Sequence, residues 1–569
     1  MSDAIGLKSV QPFRRTMVRD ALILLCALVA LLAPTLGIRE YATPSEARYI
    51  EVPRQMAVTG DWLTPRQNGV KYFDKPPLFY WIEAAQIEVF GTGEFSGRFW
   101  TMMSVVGICL TLYFAGAALY GRAAGFLAAM TLATSILGFA LSRIVLLDAP
   151  VSLFLTICLL SFLFAIRAPP GRRRDVWLMA MYVAAAGAVM TKGLIGILLP
   201  GAVIGGWIVL TGKFKLLLGV RLISGSLVFL ALTAPWHVLV GRVTPEFFDY
   251  YFIRQHFVRF LTAEYGHAEP WWWYLPILAG GLLPWTIFLP QAFLETVCGA
   301  WKNRTSDPAP FFLLLWLVLF LLFFCTAESK LVSNILPVLP PIALIAGRYL
   351  ARHWQDGADG RFRLIVMCLA AGMAISALAL LFAWPKASSQ FPEIGVMRTV
   401  WFAAAAIFGV TSLIVGAQVW RRASGGAILA VLLVSSAVLL NVQDVGVSQV
   451  IAPRSIKPLA EAVFKDGLRS TDEVASYRNY FVDLPVYLNR NVTVVDAVDK
   501  ELEFGASIEP ATAAWVIHEQ EFWRRWKEPG HRMYAFTRVG AFQAASVPAS
   551  AALHVVAQTS RFVLVRNFQ

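Results

Sequence analysis

The sequence has little charge. Only 15% of its 569 residues are Asp, Glu, Lys or Arg, whereas 57% are hydrophobic, and the mean hydropathy is +0.61. This composition excludes a set of soluble domains and is typical of a multi-pass membrane protein. The net charge of +13 does not predict nucleic-acid binding, because the Lys and Arg of membrane proteins accumulate in cytoplasmic loops and contact lipid headgroups.

Cysteine motifs and internal repeats are lacking as well. The six cysteines fall in or at the edge of apolar runs, and no two of them form a CxxC pair, so neither a disulfide framework nor a cysteine zinc site is predicted. No internal repeat is evident, which argues against a transporter built from repeated halves. The first apolar run is long enough to span and has no clearly placed cleavage site after it, so we interpret it as a retained signal anchor.

Apolar runs of near-spanning length, about 20 residues, are what the sequence has in abundance. We count about thirteen, near 20–38, 99–120, 123–142, 150–166, 176–191, 194–211, 222–241, 274–297, 310–326, 333–350, 364–383, 399–420 and 426–441. They predict an α-helical polytopic domain over residues 1–441. Beyond residue 442, short β-rich runs and one polar helix predict a small α/β domain over 442–569.

Basic residues in the short connectors predict the orientation. With the N-terminal tail in the cytoplasm, 20 of them fall on the cytoplasmic side and five in the short turns opposite, as the positive-inside rule requires. The two long outer loops, about 39–98 and 242–273, add ten more, so the asymmetry is not absolute. This orientation places both loops and the C-terminal domain outside.

Charged and aromatic residues are concentrated in the first outer loop. We predict a short helix that starts at a Ser45 cap with Glu46 in its first turn. A second helix should follow the prolines of FDKPPLFYW, because proline suits a first helical turn. Two amphipathic helices lying on the outer leaflet would explain this composition, with Tyr49 in the headgroup region and Arg48 balancing the charge of Glu46.

Acids and bases also mark the outer ends of other predicted spans. Asp148 in SRIVLLDAP lies at a helix end, where an acid is unusual unless it is used, and Lys192 in MTKGLIG is placed similarly. Further cations and histidines in outer segments are Arg254, His256, Arg259, His267 and Lys330. Singly, each cation could contact a lipid phosphate. Together they could hold a substrate phosphate while a nearby carboxylate accepts a proton from an attacking hydroxyl.

Several segments carry a resemblance, in matching order and spacing: PSEARYIEVPRQMAVTGDWLTPRQNGVKYFDKPPLFYW, LLDAP, TKG, QHFVRF…HAEPWWWYLP…LPW and SKLVSNILPVLPPIAL. They resemble the aminoarabinose transferase family and its bacterial protein mannosyltransferase-like relatives, which are polytopic glycosyltransferases of the GT-C type. The resemblance covers the whole chain. It also implies thirteen spans and a periplasmic C-terminal domain.

The resemblance implies an activity at the periplasmic face of a bacterial inner membrane. A sugar would pass from a polyprenyl-phosphate-linked donor to a lipid A, lipopolysaccharide or protein acceptor, usually with inversion. The donor's leaving group is a phosphate, so it needs cations more than a strong general acid. The expected partners are the polyprenyl-phosphate-linked sugar donor, a lipid A, lipopolysaccharide or protein acceptor, and membrane lipid, with no nucleic acid.

Residue roles follow from the same resemblance. Family members often show Asp-Glu where this chain has Ser45-Glu46, so either Glu46 or Asp148 must do the work of the missing Asp. We expect Glu46 to be the main base, with Asp148 in support. Substrate-binding residues are expected to be Arg48, Tyr49 and Tyr80. Lys75 matches the family lysine associated with the donor phosphate, and the other cations expected around that phosphate are Arg259, Lys330 and Lys192.

A metal and a rival function stay open. The family acid before that lysine helps to hold zinc with a loop histidine; here the acid is Asp74, and His256 or His267 could complete the site. The same residues could equally form an ion pair and caps. The rival function is a transporter or flippase of lipid-linked sugars, which would need acids facing a midplane cavity. The apolar runs are almost free of charge, which favours chemistry at the membrane surface.

Overall fold

The structure is a computed structural model that describes residues 4–42, 44–258, 269–355, 358–390, 392–497, 500–543 and 552–569. The first half is helical: α1 (Ala4–Leu32), α2 (Ser45–Thr59), α3 (Leu78–Phe90), α4 (Glu94–Tyr120), α5 (Arg122–Ala133), α6 (Ile136–Leu141), α7 (Asp148–Arg167), α8 (Arg172–Lys192), α9 (Ile195–Thr211), α10 (Leu216–Gly219), α11 (Leu222–Val243) and a π-helix over Asp249–Val258. The helices that follow are α12 (Tyr274–Gly281), α13 (Leu289–Val297), α14 (Pro308–Thr326), α15 (Leu339–Gln355), α16 (Gly360–Gln390), α17 (Arg398–Trp420) and α18 (Gly425–Ile451).

The predicted polytopic helical fold is confirmed. Among the described residues, eight helices are long and apolar enough to cross a membrane, or nine if α12 and the helical segment Trp285–Val297, bent by 104°, form one span. The count of thirteen is not confirmed. One reason is length, since α5 and α9 have only 12 and 17 residues, short of the roughly 20 that a span requires.

Small residues let the helices of the membrane domain pack closely. A Cβ added at Gly125 of α5 would lie 2.2 Å from the carbonyl oxygen of Tyr113 in α4, and one added at Gly116 would lie 2.6 Å from Gly125 Cα. Such close backbone approach is a common way for helices to associate in lipid, where apolar surface alone does not hold them together. This packing holds α4 and α5 together beside the turn at Gly121 that joins them.

The C-terminal region is a small α/β domain, as predicted. Helix α18 ends at Ile451, beyond position 441, where the sequence placed the boundary. The domain then contains β3 (Glu473–Tyr477), β4 (Thr493–Val495), β5 (Val516–Ile517), β6 (Met533–Arg538), β7 (His554–Gln558) and β8 (Phe562–Arg566), with helices α19 (Lys457–Lys465), α20 (Leu484–Leu488), α21 (Lys500–Ile508), α22 (Glu519–Trp526) and α23 (Val539–Gln543).

The sheet of this domain has strand order β5-β4-β3-β6-β8-β7, parallel from β5 to β6 and antiparallel at β6–β8 and β8–β7. Successive residues of β6 enter different hydrophobic clusters: Tyr534 and Phe536 pack in one, Met533 and Ala535 in the other. This alternation is that of a strand covered on both faces.

The first outer loop differs from its prediction in two respects. It forms α2, a two-stranded hairpin of β1 (Arg66–Gln67) and β2 (Val70–Lys71), and α3. Helix α2 is not an open amphipathic helix, because ten of its 15 residues are buried by other parts of the protein. Its polar side faces the C-terminal domain, where Arg54 Nη1 donates to Asn489 Oδ1 at 3.2 Å. The predicted Ser45 cap is also wrong: Ser45 is already helical, and Pro44 at the cap position offers no side-chain hydrogen bond.

Candidate active site

Asp148 and Lys192 are brought together, although 44 residues separate them in sequence. Asp148 is the first residue of α7 and Lys192 the last of α8, so each charge complements the dipole of its own helix. Lys192 Nζ lies 2.5 Å from Asp148 Oδ1 and donates to Asn334 Oδ1 at 3.0 Å. The side chain of Asp148 is 9% exposed and that of Lys192 is 16% exposed. The result is a polar cluster at one end of these helices that keeps some access to solvent.

Glu46 lies on the other side of the loop that precedes Asp148. Both oxygens of the Glu46 carboxylate accept hydrogen bonds. Oε1 accepts from Arg98 Nε at 2.9 Å and from the Val145 backbone N–H at 3.0 Å. Oε2 accepts from Arg98 Nη2 at 3.0 Å and from the Ala42 N–H at 2.8 Å, and Arg39 Nη1 lies 3.1 Å away. Burial by itself raises the pKa of Glu46, but the charges of Arg98 and Arg39 and these hydrogen bonds outweigh it and lower the pKa.

These contacts make Glu46 an anchor for the loop at 142–147. Glu46 binds the Val145 N–H, and Arg39 Nη2 donates to the carbonyl of Arg143 at 2.8 Å. The guanidinium of Arg143 lies 3.5 Å from Asp444 and over the ring of Phe139 at 3.9 Å. Among the described contacts, Glu46 is linked to the segment before Asp148 through the backbone N–H of Val145. The charge of Glu46 is balanced by Arg39 and Arg98, a role that was predicted for Arg48.

The aromatic residues predicted to bind substrate lie beside this loop. The Tyr49 ring stacks on Tyr80 with centroids 6.4 Å apart and meets Phe79 edge-on at 5.9 Å. Leu147, which precedes Asp148, is buried in the same cluster. Tyr80 is fully buried and Arg48 is 9% exposed, while Tyr49 is half-buried. Of the three, Tyr49 has the most surface to offer a ligand.

Asp74 and Lys75 form the start of a second polar group. Asp74 is buried, and its Oδ1 accepts from the Tyr250 hydroxyl at 2.7 Å and from Gln255 Nε2 at 3.1 Å. The half-buried Lys75 donates to the carbonyl oxygen of Asp74 at 3.0 Å. Phe73 packs in one hydrophobic cluster with Met190, two residues before Lys192. This packing sets both lysines at the same end of the helices.

Lys330 is the third lysine of this side. It is 6% exposed and donates to the carbonyl oxygens of Glu269 at 2.7 Å and Ala327 at 2.5 Å. An ammonium group has three donors, so these two bonds leave one for a ligand. The next residue, Leu331, accepts from the Tyr274 hydroxyl at 3.0 Å, and Asn334 follows one turn later, beside Lys192.

A metal site is not among the described groups. Within the residues that the structure describes, no set of three or more His, Cys, Asp or Glu side chains could hold a metal ion. Two predicted residues, Arg259 and His267, lie outside the described residues, and the side chain of His256 is not described either. The zinc site of Asp74 with His256 or His267 therefore stays a prediction.

Comparisons with known proteins give matches in the membrane domain and in the C-terminal domain. Residues 74–239 match a family described as dolichyl-phosphate-mannose-protein mannosyltransferase, and residues 459–567 match the aminoarabinose transferase C-terminal domain. The undecaprenyl phosphate-α-4-amino-4-deoxy-L-arabinose arabinosyl transferase of Erwinia tasmaniensis is 30% identical over 401 residues, 68% of this chain and 71% of that protein. The protein of the same name in Edwardsiella ictaluri is 30% identical over 414 residues, which are 70% of this chain and 73% of that protein. The chain belongs to the aminoarabinose transferase family.

A solved structure agrees with this assignment. The crystal structure of ArnT from Cupriavidus metallidurans bound to undecaprenyl phosphate superimposes with a TM-score of 0.84 at 26% identity and covers 96% of this chain and 98% of that one. The resemblance found in the sequence is thereby confirmed. This aminoarabinose transferase family member is a polytopic membrane glycosyltransferase of the GT-C type, and the comparisons give no support to a transporter.

Sequence reasoning missed three residues of this family member's site. Arg39 and Arg98 stand at the two ends of the first outer loop, so a search for cations at its membrane borders would have found them. Asn334 lies in the quoted segment SKLVSNILP, but nothing local distinguishes an amide that binds Lys192 from one that faces water. The pairing becomes visible only when the helix ends are brought together.

Proposed function

We propose that this aminoarabinose transferase family member moves a sugar from an undecaprenyl-phosphate-linked donor to lipid A, lipopolysaccharide or another envelope acceptor. The reaction would take place at the periplasmic face of the inner membrane, with the N-terminus cytoplasmic and the C-terminal domain periplasmic. The observation that carries the proposal is the convergence of Asp148, Lys192 and Asn334 at the outer helix ends. The names of the relatives, which give undecaprenyl phosphate-α-4-amino-4-deoxy-L-arabinose as donor, support the choice of lipid carrier and sugar.

The proposed step is a single displacement. An oxygen of the acceptor attacks the anomeric carbon, the bond from that carbon to the phosphate oxygen breaks, and undecaprenyl phosphate leaves with the bonding electrons. Attack from the side opposite the leaving group inverts the anomeric centre. If the attacking group is a hydroxyl, its proton goes to a carboxylate. Such a proton transfer typically accelerates the reaction about 10²–10⁴-fold.

We assign this proton to Asp148 rather than to Glu46. All the hydrogen bonds that the described residues make to the Asp148 carboxylate reach Oδ1, and the side chain keeps 9% of its surface exposed. Glu46 is 0% exposed and holds two arginines and two backbone N–H groups. A carboxylate in the latter setting is a weak proton acceptor, since protonation would break charge-assisted hydrogen bonds.

The donor phosphate would be held by the lysines of the outer side. Lys75 and Lys330 are proposed as direct ligands, Lys330 through the donor that its two carbonyl contacts leave over. Lys192 would act chiefly on Asp148, to which it is paired, and Arg259 would join the phosphate ligands. Developing negative charge on a departing phosphate is stabilised most by such preorganised cations.

A zinc ion remains a further proposal, with Asp74 and His256 or His267 as its ligands. A bound zinc ion would supply positive charge near the donor phosphate. Metal analysis of the purified chain by mass spectrometry would test it. Zinc present in the natural chain and lost in Asp74→Asn supports the site, and absence of zinc from both contradicts it.

Reconstitution with purified components tests the activity. The full chain in lipid nanodiscs is given undecaprenyl phosphate-α-4-amino-4-deoxy-L-arabinose and lipid A, and the lipids are analysed by mass spectrometry. We expect a mass increase of lipid A by one aminoarabinose unit and release of undecaprenyl phosphate. Donor that stays intact with every envelope acceptor tested would contradict the proposal. Mass spectrometry of lipid A, core and membrane proteins from a deletion strain then identifies the natural acceptor.

A further inference from the structure

Helix α21 of the C-terminal domain lies directly on the first outer loop. At Gly505 a Cβ atom would be only 2.0 Å from the carbonyl oxygen of Lys71 and 2.7 Å from Val70 Cγ1, both in strand β2. No side chain larger than hydrogen fits there without displacing backbone. The helix and the hairpin are therefore in backbone contact, although more than 400 residues separate them in sequence.

The neighbouring residue, Phe504, contacts the second outer loop. Its ring lies parallel to that of Tyr250, with an interplanar angle of 7° and centroids 3.9 Å apart. Tyr250 is 4% exposed, and its hydroxyl donates to Asp74 Oδ1 at 2.7 Å. A continuous set of contacts thus runs from the C-terminal domain through Tyr250 to Asp74, the residue before Lys75.

The π-helix explains why two side chains reach the same carboxylate oxygen. Tyr250 and Gln255 are five residues apart in the π-helix Asp249–Val258. In a helix with i to i+5 hydrogen bonds such residues lie on one face, whereas in an α-helix they would point about 140° apart. Gln255 Nε2 accordingly donates both to Asp74 Oδ1 at 3.1 Å and to the Tyr250 hydroxyl oxygen at 2.9 Å. The π-helical geometry therefore fixes the orientation of the Asp74 side chain.

We infer that Phe504 and Gly505, which we call the α21 contact, are positioning residues for the donor-phosphate site. Phe504 holds the Tyr250 ring, Tyr250 and Gln255 hold Asp74, and Asp74 fixes the backbone from which Lys75 reaches the phosphate. Gly505 allows α21 to come close enough for this contact. The donor site is then complete only when the C-terminal domain is docked on both outer loops. The inference rests on the proposed function, because it takes Lys75 as a phosphate ligand.

Binding of undecaprenyl phosphate to the purified full chain tests the α21 contact without need of an acceptor. A stacked aromatic pair contributes enough free energy for about a two- to tenfold change in affinity, so we expect Phe504→Ala to raise the Kd by that factor. Phe504→Tyr keeps the ring and should restore the natural Kd. The matched control is Phe464→Ala, which removes a 52% exposed ring of the same domain and should leave the Kd unchanged.

Gly505→Ala provides a second, independent variant. The added methyl would force α21 away from the hairpin, so we expect at least a tenfold rise in the Kd. Its control is Gly540→Ala in α23, where no atom among the described residues lies within 4 Å of an added Cβ. If Gly505→Ala does not accumulate as folded protein, Phe504→Ala and Phe504→Tyr decide alone.

Coupling to Lys75 separates positioning from mere packing. If the α21 contact acts through Lys75, then Phe504→Ala should have little further effect on the Kd in a Lys75→Ala background, because coupled residues are not additive. Full additivity, an unchanged Kd in Phe504→Ala, or a loss that Phe504→Tyr does not restore would each overturn the inference. A normal Kd in Lys75→Ala alone would instead contradict the donor site of the proposed function, and the inference with it.

Discussion

Two acids stand on either side of one loop and have opposite surroundings. Glu46 is closed off from solvent by Arg39, Arg98 and two backbone N–H groups, and it fixes the loop. Asp148, at the other end of the same loop, is paired with Lys192 through one oxygen and retains exposure. A carboxylate can take up a proton only if it has hydrogen-bonding capacity left and is accessible to the proton donor. Nearness to the membrane surface alone does not provide these.

Glu83 adds a third case in the same outer loop. It is as fully buried as Glu46, but its carboxyl has no cation among the described residues, and the hydrogen bond described for it comes from Gln86 Nε2 at 3.1 Å. Burial therefore raises the pKa of Glu83 well above its ordinary value, whereas the arginines lower that of Glu46. Equal burial moves the two pKa values in opposite directions because the partners differ.

The largest effect is expected at Asp148. Asp148→Asn keeps the size of the side chain and removes the proton acceptor, so the transfer rate at matched protein levels should fall about 10²–10⁴-fold with the fold intact. Asp175→Asn is the matched control, since Asp175 also lies in the first turn of a helix and pairs with a cation, Arg221 at 2.7 Å, on the side predicted to be cytoplasmic. An active Asp148→Asn enzyme beside a folded but inactive Glu46→Gln enzyme would reverse the comparison.

Glu46→Gln should act on stability rather than on the chemical step. It leaves Arg39 and Arg98 buried without their anion, and breaking such a pair typically costs about 3–5 kcal/mol. The melting temperature in detergent should fall, while the activity of the molecules that remain folded stays within tenfold of the natural value. A Glu46→Gln protein of normal melting temperature would contradict this role.

The pH dependence of Glu46 gives the sign of the same effect. Its pKa is lower in the folded than in the unfolded chain, so the stability it contributes is present above the unfolded value of about 4.5 and is lost as the pH falls toward the folded pKa. The natural chain should therefore lose stability on acidification more steeply than Glu46→Gln. Parallel curves of melting temperature against pH would show that Glu46 is not the held anion described here.

Lys75→Ala tests the binding of the donor phosphate. A charge-assisted hydrogen bond contributes about 1.5–3 kcal/mol, so the KM for the undecaprenyl-phosphate donor should rise about tenfold to a hundredfold, with little change in melting temperature. Lys71→Ala is a suitable control, because Lys71 also lies in the first loop and donates to Thr244 Oγ1 at 3.2 Å. Equal effects of the two variants would remove the special role of Lys75.

Glu83→Gln should have the smallest effect, and it should stabilise. A raised folded pKa means that the stability is present below the unfolded value of about 4.5 and is lost as the pH rises toward the folded pKa. Replacement by the neutral amide should raise the melting temperature at pH 7 and flatten its dependence on pH. Glu88→Gln, on the exposed side of the same helix, is the control. A destabilised Glu83→Gln protein would reveal a cation or donor that binds the carboxylate.

Local patterns in the sequence were sufficient to predict the polytopic fold, the separate α/β domain and a common face for Asp148, Lys192, Lys75 and Lys330. These follow from local properties, since a run of apolar residues partitions into lipid wherever it lies and leaves its charged ends at the surface. The resemblance of the outer segments added the family.

The hydrogen-bond partners of the two acids, Glu46 and Asp148, could not be predicted from the sequence. Glu46 obtains its partners from Arg98 and Val145, 52 and 99 residues away, and the polar side of α2 is covered by Asn489 of another domain. A helix with one polar face has the same local pattern whether that face meets water or a second polar surface. Hydrogen bonds between distant residues leave no periodic trace in the sequence, because they form only after the helices have packed.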